Sequence, residues 1–281
     1  MNKINYKIAS KNQVLRLSEL FANVYKKKIT EKELVWRYFD NPLQKGKIYN
    51  CVATNDDHEI IGHTAFIKNK FYINNKIVYG GLTVGSAVQS EYSGVFAPMY
   101  NFLEKSTTNE FDFIYGFPNQ NSLLFFTKIF KYYELESNIF QFKNTSSNFL
   151  NDKLKQLTKF IGTPYLIKNI DLLNWRLVQN PLIKYYYCNI KEFKIVWKKY
   201  NKDEVDIVAI IPENVRLKIE EKKIPSSTKI NFIATSKERI NCLIKAGFDP
   251  QGILNTFIVK PLTETINFGL IPFQMIDIDI Y

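Results

Sequence analysis

A chain that carries the same uncommon element twice is constrained to fold as two copies of one unit. Trp36-Arg37-Tyr38-Phe39-Asp40-Asn41-Pro42-Leu43 and Trp175-Arg176-Leu177-Val178-Gln179-Asn180-Pro181-Leu182 agree at five of eight positions, and the 281 residues hold only 3 Trp. A second echo follows in the same order: Lys128–Lys143 reads KIFKYYELESNIFQFK and Lys245–Lys260 reads KAGFDPQGILNTFIVK. The offset falls from 139 to 117 residues, so the second copy lacks about 22 residues between the two echoes. The polar, turn-forming stretch Asn144–Asn148 is the natural linker, which predicts domains at 1–145 and 146–281.

Hydrophobic periodicity fills in each copy. In the first, Val14, Leu15, Leu17, Leu20, Phe21 and Val24 recur at helical spacing. Thr30 and Glu33 have capping-box spacing for a second helix that carries Trp36 and Arg37 and stops before Pro42. Tyr49–Thr54 and Ile60–Lys68 read as a hairpin, with further strand at Phe71–Ile73 and Ile77–Gln89. A helix from Phe96 to Glu104, a strand at Phe111–Phe117, a helix at Asn121–Phe130 and a strand at Glu134–Lys143 follow. In the second copy, helices are predicted at Asp152–Phe160, Ile170–Val178 and Lys237–Lys245, and a short one opened by Pro212. Strands are predicted at Lys184–Ile190, Phe193–Lys199, Val205–Ile211, Ile230–Ala234, Ile253–Lys260 and Phe273–Ile280. The fold class is therefore α+β: two mixed-sheet domains in tandem with flanking helices.

Composition narrows the function. Hydrophobic residues make up 46% and charged residues 23%, which excludes a disordered tail protein or a collagen-like repeat. Cys51, Cys188 and Cys242 are odd in number and form no CxxC pair, which argues against a disulfide framework and for a reducing cytoplasm. Charge interrupts the apolar runs of residues 1–26, unlike a signal peptide, and no stretch approaches the roughly 18 apolar residues of a membrane span. The net charge of +11 invites a nucleic-acid partner, but the lysines are scattered, with tight runs as short as Lys26–Lys28 and Lys198–Lys199. A small phosphorylated ligand needs fewer contacts, and no nucleic-acid partner is expected. No HxxxH, HExxH or Walker-type loop is present, so no metal is expected. Asp277 and Asp279 read as the solvated side of a strand. The oligomeric state is left open, a monomer being compatible.

A strand that ends in a short loop and opens a helix aims free N–H groups and the positive end of the helix dipole at one spot, where a pyrophosphate fits. Tyr79–Val88, Gln89–Val95 and the helix from Phe96 have that order, and Ser93-Gly94 permits close backbone approach. Together with Cys51–Thr54, Ile60-Ile61-Gly62 and Gly116-Phe117-Pro118-Asn119-Gln120-Asn121-Ser122, this layout resembles the Gcn5-related N-acetyltransferase (GNAT) superfamily. Two copies, each with a Trp-Arg…Asn-Pro element, resemble the tandem GNAT enzymes that acylate amino sugars on nucleotide carriers.

The resemblance implies acyl transfer from acyl-CoA to a nucleotide-linked (dTDP or UDP) deoxyamino sugar, without a metal. It places coenzyme A along Val84, Ser86, Val88, Gln89, Ser93, Gly94, Val95 and Phe96, with Ser122 and Phe126 beside it. It puts Asn119 and His63 in catalytic positions and Arg37, Tyr115 and Gly85 against the substrate, with the oxyanion held by a backbone N–H within Leu82–Gly85. For Arg37, its repetition with Trp36 argues for packing as well; for His63, alternation with Ala65 and Ile67 allows a buried structural role. The sequence departs from the family in two places. The loop has one glycine and is about two residues short. Phe126 stands where a tyrosine often protonates the departing thiolate, and phenylalanine has no proton to give.

The second copy has no glycine between Cys188 and Gly247, and Pro212-Glu213 follows its central strand, which predicts one CoA site per chain and a second domain that contributes to the substrate cleft. Two rival readings stay open: a tandem GNAT transferase with another donor such as aminoacyl-tRNA, and a non-catalytic ligand-binding protein.

Overall fold

The computed structural model describes all residues except 1–2, 74–75, 162–169, 236, 253–255, 264–265, 267, 269–272 and 279–281. Its first half contains strands β1 (Asn5–Ile8), β2 (Asn50–Thr54), β3 (Ile60–Ile73), β4 (Lys76–Val88), β5 (Phe113–Gly116), β6 (Tyr133–Leu135) and β7 (Ser137–Lys143). Among them lie helices α1 (Val14–Tyr25), α2 (Glu31–Tyr38), α3 (Phe96–Thr107) and α4 (Gln120–Leu124). The second half contains α5 (Ser147–Ile161), α6 (Ile170–Leu173), β8 (Tyr185–Ile190), β9 (Phe193–Lys199), β10 (Glu204–Pro212), β11 (Glu220–Glu221) and β12 (Lys229–Thr235). It closes with α7 (Lys237–Lys245), β13 (Asp249–Gly252), β14 (Phe257–Pro261) and α8 (Met275–Ile278).

Two mixed seven-stranded sheets result, in the orders β1-β2-β3-β4-β5-β14-β6 and β11-β8-β9-β10-β12-β7-β13. Each has a parallel pair at its centre, β4 with β5 and β10 with β12. By the repeat offset, β14 is the counterpart of β7. The copies have exchanged these strands: β7 runs antiparallel to β12 in the second sheet, and β14 runs antiparallel to β6 in the first.

The chain divides into one unit of Met1–Lys70, Val78–Gly116 and Lys260–Glu264, and another of Phe71–Ile77, Phe117–Val259 and Thr265–Tyr281. The linear division at 145/146 therefore differs from the observed one. β7 carries Phe140 and Phe142 into the core of the second unit, where Phe140 stacks on Phe232 at 5.5 Å.

Local signals account for most elements. α1 buries Leu17, Leu20 and Phe21, the residues at helical spacing. Thr30 caps α2 by accepting from the Glu33 N–H at 3.2 Å, while the Glu33 carboxylate pairs with Arg37 at 2.7 Å. The repeated element folds alike in both copies: Leu43 N–H donates to Asn41 Oδ1 at 2.9 Å and Leu182 N–H to Asn180 Oδ1 at 2.9 Å. Trp36, Arg37, Trp175 and Arg176 are all buried.

Several expectations are corrected. The strand expected at Glu134–Lys143 breaks at Glu136, because β6 and β7 join different sheets. Pro212 ends β10 instead of opening a helix, and turns follow it. Residues 213–228 hold only β11 and irregular backbone where the first copy has α3, which accounts for part of the shortening of the second copy, the rest falling in its shorter strands β9 and β10. The last strand is the short helix α8, whose buried Asp277 accepts from the Gln274 N–H at 2.8 Å instead of facing solvent. Asp279, and the first residues of the strand expected from Ile253, lie outside the described residues.

Candidate active site

Within the first unit, β4 is the element on which the site is built. Its parallel ladder to β5 covers Gly80–Leu82 opposite Phe113–Tyr115, and β4 then runs on to Val88. At the end of that ladder Gly116 makes room for Thr83: a Cβ there would lie 2.4 Å from the Thr83 Cγ2, which would have to move. Three residues further along β4, Gly85 adopts φ +60, a left-handed conformation that bends the strand. A Cβ on Gly85 would lie 2.0 Å from the Tyr38 hydroxyl oxygen.

The bend is tied down from three sides. The His63 Nδ1 lies 2.8 Å from the Gly85 carbonyl oxygen, so this nitrogen carries the proton and donates it. The Tyr25 hydroxyl donates to the Ser86 carbonyl at 2.6 Å, and the Ser86 and Thr64 hydroxyls are 3.0 Å apart. His63 itself is 0% exposed and packs against the rings of Phe21, at 5.2 Å, and Tyr38, at 4.9 Å. Burial pushes its pKa down to about 4; the Gly85 carbonyl pulls it up in part, and the Arg37 charge pushes it down further. At neutral pH it is an uncharged, dry imidazole, ill suited to take a proton from a substrate.

Beyond Val88, the Gln89 N–H donates to the Ile61 carbonyl at 3.0 Å. Ser90–Val95 winds as a 3₁₀ turn, interrupted at Tyr92, and runs directly into α3. Ser93 and Gly94 are exposed, and nothing lies within 4 Å of where a Gly94 Cβ would stand. Val95 is buried and Phe96 half-buried. Glu91 lies in the first turn and accepts from the Ser90 hydroxyl at 3.1 Å. The turn thus offers open backbone at Ser93-Gly94, and its one acidic side chain sits two residues before Ser93.

The structure brings His63, Gly85 and Ser86 together, with Val84 buried and Val88 half-buried on the same strand. Arg37 is 4% exposed and its guanidinium pairs with Glu33. Tyr115 is 0% exposed, and its hydroxyl meets the Asn69 amide. In the second unit, Asn119 is the cap of α4: its Oδ1 accepts from the Ser122 N–H at 3.0 Å and lies 3.0 Å from the Ser122 hydroxyl. Phe126 is a core aromatic of the same unit, edge-on to Tyr132 at 5.2 Å. A cavity of about 410 Å³ in the second unit is lined by Leu177–Tyr185 (without Gln179) and Lys218–Glu220, and it includes none of the expected site residues. Tyr25, Tyr38 and Thr64 carry no local sequence signal for these roles, which depend on contacts to a strand more than 20 residues away in the chain.

Among the described residues, no group of three His, Cys, Asp or Glu side chains could hold a metal ion, and no helix is long and apolar enough to cross a membrane.

No protein-family model and no curated protein matches the sequence. Solved structures do match the fold. A conserved protein of unknown function from Enterococcus faecalis V583, described as a probable N-acyltransferase, superposes with TM-score 0.61 at 12% identity, over 92% of this chain and 73% of that one. A GCN5-related N-acetyltransferase from Anabaena variabilis gives TM-score 0.59 at 9% identity, over 93% and 73%. Eis1 from Mycobacterium abscessus gives 0.58 at 9% identity, over 92% and 74%. At these identities the likeness is one of fold: two GNAT-like mixed-sheet units, as the repeat and the strand-loop-helix order lead one to expect.

Proposed function

We propose that this chain is an N-acyltransferase that moves an acetyl or short hydroxyacyl group from acyl-CoA to the amino group of a dTDP- or UDP-linked deoxyamino sugar, in the cytoplasm, for surface polysaccharide synthesis. The observation that carries the acyl-transfer reading is the bent β4. It leaves its ladder with β5 after Leu82, turns at Gly85 and continues through Ser90–Val95 into α3. The acceptor class rests on the sequence resemblance.

Bound acyl-CoA would supply an activated thioester. The backbone of Val84 and Val88 is the part of β4 available to the pantetheine amides, the Ser86 N–H lies toward the thioester end with its carbonyl held by Tyr25, and Gln89 with Ser93–Phe96 is available to the pyrophosphate. The open space around Gly94 fits that assignment, since a phosphate needs close approach to backbone N–H groups. The amine proton leaves to water, because His63 is sealed and uncharged. A thiol with a pKa of about 8.5 can depart as thiolate near neutral pH, so Phe126 in place of a proton donor is tolerable. Absence of α3's counterpart after β10 supports a single CoA site per chain.

Calorimetry tests the donor site. One CoA per chain is expected, and Gly94→Val, whose Cβ would stand in open space, is expected to weaken binding about 10-fold or more by crowding the phosphate. Thiol release with a panel of dTDP- and UDP-amino sugars tests the transfer. Wild-type protein that binds no CoA, or a folded Gly94→Val protein with unchanged affinity, overturns the placement. CoA binding without thiol release from any amine favours the non-catalytic rival.

A further inference from the structure

We propose that His63 is a positioning residue: by clamping the Gly85 carbonyl it sets the direction of the Ser86 N–H, which acts as the backbone donor to the oxygen of the reacting thioester. This rests on the acyl-transfer reading above.

The argument starts from peptide geometry. In a planar trans peptide the C=O and the following N–H point in opposite directions. The Gly85 carbonyl is drawn to the His63 ring, on the side covered by Phe21 and Tyr38. The Ser86 N–H therefore points the other way, out of the aromatic box. The next peptide is fixed as well, because the Ser86 carbonyl accepts from the Tyr25 hydroxyl at 2.6 Å. Rotation of the Gly85–Ser86 peptide would break the His63 contact, and movement of Gly85 toward the helices is blocked by the Tyr38 hydroxyl. A donor with both flanking peptides held needs no reorganisation when charge develops on a carbonyl oxygen, which is what oxyanion stabilisation requires.

The chemistry of the box also asks for an explanation. A phenyl ring would fill the space against Phe21 and Tyr38 without desolvating any polar atom. Histidine brings a second nitrogen, Nε2, that is buried and has no hydrogen-bond partner among the described residues. Among the described residues it meets Phe21, Tyr38, the Gly85 carbonyl and the charge of Arg37, itself paired with Glu33. What the imidazole adds over a phenyl ring is the Nδ1–H to Gly85. Asparagine can place an amide N–H near the same point, and phenylalanine cannot.

The test uses the full chain and three readouts. His63→Phe is expected to lower kcat about 10- to 100-fold, the range for a mispositioned oxyanion donor, with the KM for acyl-CoA and the CoA affinity by calorimetry unchanged. His63→Asn is expected to restore most of kcat, and both variants are expected to keep the shape of the wild-type pH–rate profile. Imidazole ¹⁵N shifts of the wild type are expected to show the neutral Nδ1–H tautomer from pH 5 to pH 8, a result that does not depend on either variant folding. An Nε2–H tautomer, or a protonation midpoint near the ordinary 6.5, overturns the clamp. Wild-type turnover in a folded His63→Phe protein, or loss of the acidic limb of the pH–rate profile, overturns the positioning role alone. Wild-type protein that neither binds CoA nor releases thiol overturns the acyl-transfer reading on which it rests.

Discussion

His63 illustrates how burial converts a titratable residue into a fixed one. Its folded pKa of about 4 lies below the ordinary 6.5, so the unfolded chain takes up the proton first as pH falls. The sign follows directly: the contribution to stability is complete above pH about 6.5 and is lost as pH falls toward about 4. The gap is worth up to about 3 kcal/mol. Urea unfolding at pH 7, 6, 5 and 4 should therefore show a steeper loss for the wild type than for His63→Asn. Equal pH dependence in both proteins would mean that the imidazole titrates freely. At the same scale, Gly85 is marked in the sequence as a glycine within a strand pattern that the resemblance sets against the substrate. That its carbonyl meets a histidine side chain depends on how β3 and β4 align.

The repeated Trp-Arg…Asn-Pro element shows what is common to the two copies. Each folds as a helical turn with a buried tryptophan and arginine, closed by an asparagine that accepts from the N–H two residues on. The acid that serves each arginine comes from a different place. Arg37 pairs with Glu33 one helical turn earlier, whereas the charge of Arg176 acts on Asp277 of α8. In the second case burial pushes the carboxyl up to about 7, against the Gln274 N–H and the Arg176 charge, which pull it down. The buried Arg37–Glu33 pair leads to a prediction. Arg37→Leu leaves the Glu33 carboxylate uncompensated and should cost about 3–5 kcal/mol in urea unfolding, with CoA affinity unchanged. The double variant Arg37→Leu/Glu33→Leu should recover most of that loss. A single variant of wild-type stability but raised KM for the acceptor would instead return Arg37 to the substrate, as the resemblance first implied.

Across the whole chain, the exchanged strands make the two copies interdependent. Residues 1–145 would lack β14, the antiparallel partner of β6, and residues 146–281 would lack β7, the antiparallel partner of β12 and β13. The second fragment also loses Phe140 and Phe142 from its core cluster. Each fragment expressed alone should fail to show a cooperative unfolding transition, because it exposes unpaired strand edges and a gap in the core. Co-expressed fragments should assemble and recover CoA binding. A fragment of residues 1–145 that unfolds cooperatively as a monomer would show that the exchange is dispensable.

Much of this architecture could be read from residue order. The repeat announces two copies, helical spacing marks α1 and α7, alternation marks the strands, and Thr30 and Asn119 cap the helices they precede. These signals act within a few residues, through side-chain period and through local hydrogen bonds to the backbone. The destination of β7 and β14, the reading of Phe273–Ile280 as strand where α8 forms, and the contact of His63 with Gly85 could not be read in that way. Every strand offers the same N–H and C=O groups, so residue order alone does not name the partner. Pairing is chosen when distant apolar faces close on one another, as Phe140 does on Phe232, and only that closure brings a histidine of one strand to the bent backbone of the next.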